Sequence, residues 1–157
     1  MYLILTASND TYITNKIIDN KFRATDANTG RAGTIDLFKL YAESISGSDS
    51  TPIELSRALI KFNLSKLHEL TASSLNVNAS NFQAHLKLYD ILGGQATPAN
   101  FKLVIFPLSQ SFDEGIGRDV ASFQDIDRAN WITASYSSDT NNEWYITGSG
   151  AGGLMGS

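Results

Sequence analysis

Cysteine is absent from this chain, proline occurs three times and histidine twice. Without a thiol there is neither a disulfide framework nor a thiolate metal site, and cysteine usage says nothing about redox compartment. The two histidines, His68 and His85, lack His-x-x-x-His spacing or a carboxylate at ligand spacing, and read as surface or strand residues. Long apolar runs are missing too: none approaches the ~20 residues a membrane helix requires. Nor is there a cluster of Lys and Arg. Twelve basic against 16 acidic residues leave a net charge of −4 and an isoelectric point near 5.0, a balance that repels phosphate backbones. Neither nucleic acid nor a membrane is expected as a partner.

What is present is globular. Hydrophobic residues make up 42% and charged residues 18% of 157, with 8 Phe, 6 Tyr and 2 Trp favouring strands. A domain of this length buries roughly 68–70% of the surface its unfolded chain exposes. One domain is expected over residues 1–147, followed by the glycine-rich segment Gly148 to Ser157. Met1 to Ala7 lacks the basic start and the apolar length of a signal peptide. It reads as a first strand, Tyr2 to Thr6, in a soluble chain with no visible secretion signal.

The clearest strand is Ser56 to Leu64, SRALIKFNL. Ala58, Ile60, Phe62 and Leu64 alternate with Arg57, Lys61 and Asn63, which predicts one dry and one wet face. Asp10 to Lys16 is a second β-branched segment. The polar stretch Asn20 to Gly33 is a long loop leading to Thr34 to Tyr41, where apolar groups on both faces predict cover on two sides or a neighbouring subunit. Ser44 to Pro52 is a Ser- and Gly-rich loop. Leu64, Leu67 and Leu70 are spaced for a short helix. Gln83 to Ile91 and Phe101 to Leu108 alternate around Gly93, Gly94 and Pro98, which predicts an antiparallel pair. Trp131 to Tyr136 and Glu143 to Thr147 are two last short strands. Many strands, long loops and little helix give an all-β class, an antiparallel sandwich of jelly-roll type.

No catalytic constellation stands out. Asp113, Glu114, Asp119, Asp125 and Asp127 crowd one loop, but a glycosidase pair needs carboxylates on rigid elements with one desolvated. No serine stands in a Gly-x-Ser-x-Gly elbow, and the glycines at 148–153 have no βαβ context. The chain is read as no enzyme, with no catalytic residue, no metal ligand and no cofactor. Loop carboxylates and carbonyls are nonetheless the hard oxygen ligands calcium takes, which leaves a structural calcium open.

Several segments then fall into a familiar order: DTYI near the start, the Gly-punctuated loop followed by TIDLFKL, RALIKFNLSKL, AHLKLYD, SFDEGIG, a Trp in ANW and a second Trp in EWYITGSGAGG. Together they resemble the DNRLRE-type carbohydrate-binding-module family of β-sandwich domains. The wording of DTYITNK, TDANTGRAGTIDLFKLY and ELSRALIKFNL is also similar to virion structural proteins of tailed phages, marine ones especially. The family's sandwich continues past its Trp-Gly-Gly segment into further strands, whereas this sequence stops at Ser157. The expectation is a sandwich incomplete at its C-terminal side, either because the natural chain is longer or because another chain completes an open edge.

The resemblance implies a virion structural protein of the tail, neck or capsid exterior, assembled in the host cytoplasm and acting through contacts with other virion subunits, including copies of itself. The alternative is a non-catalytic carbohydrate-binding module. Trp131, Trp144 and Tyr145 are the candidate residues for a ligand or interface. Flat aromatic faces stack on sugar rings, yet tryptophan is also costly to leave exposed, so packing and binding both remain open for them.

Overall fold

A computed structural model of the chain describes residues 2–41, 52–91, 102–124, 127–138 and 140–144. The described secondary structure is seven strands and one short helix, in keeping with the all-β class. The chain divides into two compact units. A core unit comprises Asn9–Ile60 and Ile105–Ser157; a minor unit comprises Met1–Ser8 and Lys61–Val104.

The largest sheet has three strands in the order β1-β5-β4: β1 (Ala7–Thr14), β5 (Pro52–Phe62) and β4 (Lys39–Tyr41). The central strand is the segment whose alternation is clearest in the sequence, and it spans 52–62 where the sequence predicts 56–64. Strand β4 is antiparallel to it, with Lys39 opposite Leu55 and Leu40 opposite Glu54. At one end of β1, Ser8 Oγ donates to the Lys61 carbonyl; at the other, Asn15 N–H donates to the Leu55 carbonyl, so β1 is antiparallel to β5 as well. Side chains prolong this ladder beyond Thr14. Thr14 Oγ1 donates to the Leu55 carbonyl at 2.7 Å, Leu55 N–H to Asn15 Oδ1 at 2.7 Å, and Ile17 N–H to Glu54 Oε2 at 2.9 Å.

Two hairpins accompany this sheet: β2 (Ile17–Ile18) with β3 (Phe22–Arg23), and β6 (Thr133–Ser137) with β7 (Thr140–Glu143). The first turns through Asp19 and Asn20, both in the left-handed region, which Asn and Asp tolerate better than other side chains. Helix α1 (Ser65–Ser73) forms where leucine spacing predicts a helix. Asn63 Oδ1 receives the Ser65 N–H, and Lys66 pairs with Glu69 one turn on. No residue of α1 is buried.

The hydrophobic core consists of Ile13, Leu59, Phe112, Ala129, Ala134 and Trp144, with Trp131 packed against it. Leu59 corrects the facing expected of β5. It shares its side of the strand with Arg57 and Lys61, so the side predicted to be wet is the one that reaches the core, while Ala58, Ile60 and Phe62 are only half-buried. Arg57 is compatible with that side because its guanidinium lies over the Trp131 ring, 4.5 Å from the centroid.

Other predicted strands are shorter or absent. Residues 2–6 carry no strand, and 34–38 none before β4. Neither 83–91 nor 102–108 is assigned as strand; their apolar side chains are exposed instead, Tyr89 at 88% and Val104 at 75%. Alternation marks what a strand would bury, but a strand also needs a paired neighbour, and none lies beside these stretches among the described residues. The turn residues Gly93, Gly94 and Pro98, most of the loop Ser44 to Pro52 and the segment Gly148 to Ser157 lie outside the described residues.

Candidate functional site

The chemistry-bearing residues of the core unit converge on three segments: the loop at 24–31, the stretch 110–119 and the turn that leads into β6. Asn28 joins the first two. Fully buried, it donates through Nδ2 to the carbonyls of Glu114 and Ala129, both at 2.9 Å. Its Oδ1 accepts Gly117 N–H at 2.8 Å and Gly30 N–H at 3.3 Å. All four hydrogen-bonding positions of the amide are thereby used, the condition for burying such a group at little cost. The segments lie so close that a Cβ on Gly30 would overlap the Glu114 carbonyl and one on Gly117 the Asn28 carbonyl. Glycine is required at both for the backbones to meet.

Thr29 extends this clasp to β1. Its Oγ1 donates to the Tyr12 carbonyl at 2.6 Å and lies 3.2 Å from Thr11 Oγ1. The Glu114 carboxylate completes it from the other side, accepting Asp10 N–H at 2.8 Å and Asn9 Nδ2 at 3.2 Å. Burial, with Asp36 and Asp119 adding negative charge, pushes the Tyr12 phenol up to about 12.

Asn130 organises the third segment. Its Oδ1 accepts the N–H groups of Ile132 at 2.9 Å and Thr133 at 2.7 Å, a local turn that delays β6 to Thr133 rather than the predicted Trp131. The same residue's carbonyl accepts the Trp144 indole N–H at 2.8 Å.

The aromatic candidates separate. Trp144 is 6% exposed, a core residue whose one polar atom is satisfied. With its ring inside the core it offers no platform to a sugar. Trp131 is half-buried, one face covered by Arg57. Desolvation lowers the Arg57 guanidinium to about 10. Tyr145 lies outside the described residues, so the structure brings only the two tryptophans into one neighbourhood.

Among the described residues the acidic loop does not gather its carboxylates around a common point. Asp113 Oδ2 accepts Tyr136 N–H at 3.1 Å, Glu114 faces Asn9 and Asp10, and Asp119 Oδ1 accepts the N–H groups of Ser122 and Ala121. The Ser122 N–H chiefly holds Asp119 below the usual carboxylate range, with desolvation acting against it and the Ala121 N–H adding to it. Asp125 lies outside the described residues, and among those described no three of His, Asp or Glu are grouped for a metal ion. A shallow polar groove of about 420 Å³ lies beside the β6–β7 hairpin, lined by Gln110, Ser111, Ser135, Asn141, Asn142 and Glu143.

Asn28, whose amide uses all four of its hydrogen-bonding positions, is not among the candidates that sequence reading selects. Its signal is weak: an Asn-Thr-Gly in one loop and a Glu-Gly-Ile-Gly 86 positions later, whose pairing is visible only in three dimensions. No family model, no curated protein and no solved structure matches this chain. Any functional reading therefore stands on its own residues.

Proposed function

We propose that this chain is a structural protein of a tailed-phage virion, a non-enzymatic component of the tail, neck or capsid exterior, assembled in the host cytoplasm and acting through contacts with other virion subunits and with copies of itself. In this reading its strands belong to an antiparallel β-sandwich of jelly-roll type, and the segment order that resembles the DNRLRE-type modules is a feature of that sandwich. One observation carries the proposal. No described residue of the minor unit is buried, although Leu86, Leu88, Tyr89, Ile91, Leu103 and Val104 are all apolar and all exposed. Apolar side chains concentrated along two stretches that belong to no strand are a surface that association covers.

The test is light scattering coupled to gel filtration at several concentrations, with calcium or chelator. A defined oligomer, or growth with concentration, is the expected result. A monomer at every concentration would remove the proposal.

The alternative reading, a non-catalytic carbohydrate-binding module, has a specific observation behind it as well. The groove beside β6–β7 offers amides, hydroxyls and one carboxylate, groups that pair with vicinal hydroxyls, and Trp131 retains partial exposure. On a glycan array, retained sugars whose binding falls with Trp131→Ala at unchanged stability would favour it.

A further inference from the structure

We propose that the minor unit docks on the core unit of a second copy of this chain, giving a head-to-tail interface rather than a symmetric one. The proposal rests on the assembly reading above and adds who the partner is and which surfaces meet.

Charge identifies the occupant. The minor unit carries four lysines, Lys61, Lys66, Lys87 and Lys102, against Glu69 and Asp90, a net charge of +2. The core unit carries eight Lys and Arg against fourteen Asp and Glu, a net charge of −6, and the two together make the −4 of the chain. The exposed apolar side chains of 83–91 and 102–104 sit on the basic unit, with Lys87 between Leu86 and Leu88 and Lys102 beside Leu103. Two minor units brought together would set like charges against each other. A minor unit brought to a core unit sets lysines against carboxylates, and complementary potential guides association and suppresses the wrong pairing. The core unit presents exposed carboxylates for this at Asp36, Asp127 and Glu143.

The consequence is structural. An interface between two different surfaces leaves each end of a dimer with one unused surface, so it propagates to a ring if the rotation closes and to a filament if it does not. Rings and filaments are the architectures such a contact builds.

Two chains test this. One carries Tyr89→Asp and Val104→Asp, which leave the core unit unchanged. The other carries Asp36→Lys, Asp127→Lys and Glu143→Lys, which bring the core unit from −6 to neutral. All five side chains are exposed, and far-ultraviolet circular dichroism with a denaturation midpoint checks that each variant folds. Alone, each is expected to remain monomeric at concentrations where the unaltered chain assembles. Mixed, they are expected to form a one-to-one dimer that grows no further, since one intact surface of each kind remains. For the unaltered chain, raising salt from about 0.05 to 0.5 M is expected to weaken association by about tenfold or more.

If the charge-reversed chain assembles as the unaltered chain does, or if salt leaves association unchanged, the head-to-tail interface is wrong while assembly itself stands. If the unaltered chain never associates, the assembly reading fails and this inference with it. Should the reversed chain not fold, the salt series alone decides.

Discussion

The two units of this molecule use similar residues to different ends. In the core unit Ile13, Leu59, Phe112 and Trp144 are buried together and polar side chains are buried with them, among them Asn28, Thr29, Asn130 and Thr133. Among the described residues no buried side-chain nitrogen or oxygen lacks a hydrogen-bond partner. In the minor unit leucines, two tyrosines and valines stand exposed, and helix α1 buries nothing. Hydrophobicity alone therefore does not decide what is inside. The core unit closes because polar residues bring distant segments together: the Asn28 amide links residues 86 and 101 positions apart. Among the described residues of the minor unit no buried polar side chain plays that part, and the link between distant positions from Ser8 Oγ to the Lys61 carbonyl is exposed.

The sharpest way to break that contrast is Asn28→Ala. It leaves the carbonyls of Glu114 and Ala129 and the N–H groups of Gly117 and Gly30 without their partner, and each orphaned buried group costs ~1–3 kcal/mol. The expected loss is about 4 kcal/mol or more of core-unit stability, read by urea denaturation followed through tryptophan fluorescence. A loss below about 1 kcal/mol would mean that the clasp is incidental and that the apolar cluster suffices. Trp144→Ala comes next, with an expected cost of about 3–5 kcal/mol from cavity and lost burial. Trp144→Phe retains most of the ring but strands the Asn130 carbonyl, at about 1–2 kcal/mol. A Trp144→Ala chain as stable as the unaltered one would place that ring outside the core.

The same contrast explains what was legible in the sequence. Strand β5 and helix α1 are readable because their signals are local: alternation at period two, and leucines three apart. The facing of β5 was not, because Leu59 lies between Ala58 and Ile60 and only the position of the core and of Trp131 decides which side is inside. The stretches 83–91 and 102–108 alternate as cleanly as any strand, yet alternation carries no information about a pairing partner. Asn28 was illegible for a related reason. A polar residue in a polar loop reads as exposed until the segment that satisfies it, far along the chain, is in place. For the tryptophans, sequence left packing and binding open, and the indole hydrogen bond of Trp144 and the Arg57 cover on Trp131 are tertiary facts.

A smaller effect tests the core unit's polar burial through pH. Tyr12 has its phenol pushed up to about 12, from an ordinary value of 10.0, mainly by desolvation. Below pH 10 the phenol is neutral in both folded and unfolded chains and its contribution is complete. Between pH 10 and about 12 the unfolded chain ionises first, so the folded state binds more protons and stability falls as pH rises. After screening, the loss is expected to be about 1–2 kcal/mol across that window. Arg57, lowered to about 10, acts with the opposite sign over the same range, so the unaltered chain alone would show a reduced slope. The informative quantity is the difference from Tyr12→Phe, which should narrow steadily above pH 10 as the unaltered chain loses Tyr12's share. Parallel pH profiles would show that the phenol is not desolvated.

The smallest effect belongs to the minor unit, and its smallness is the prediction. Leu88→Ala and Tyr89→Ser remove exposed apolar groups and are expected to change the stability of the monomer by no more than about 0.5 kcal/mol, measured at concentrations too low for association. Amide hydrogen exchange supplies the complementary observation. Backbone groups of 83–91 and 102–104 should exchange far faster than those of Tyr12, Ile13 and Ala134, because local opening follows the density of buried contacts. On raising the concentration into the range where the chain associates, protection of 83–91 should increase while that of Ile13 stays as it was. A minor unit already protected in the dilute monomer would mean that its apolar residues have cover within a single chain, and the distinction between the two units would then be one of degree.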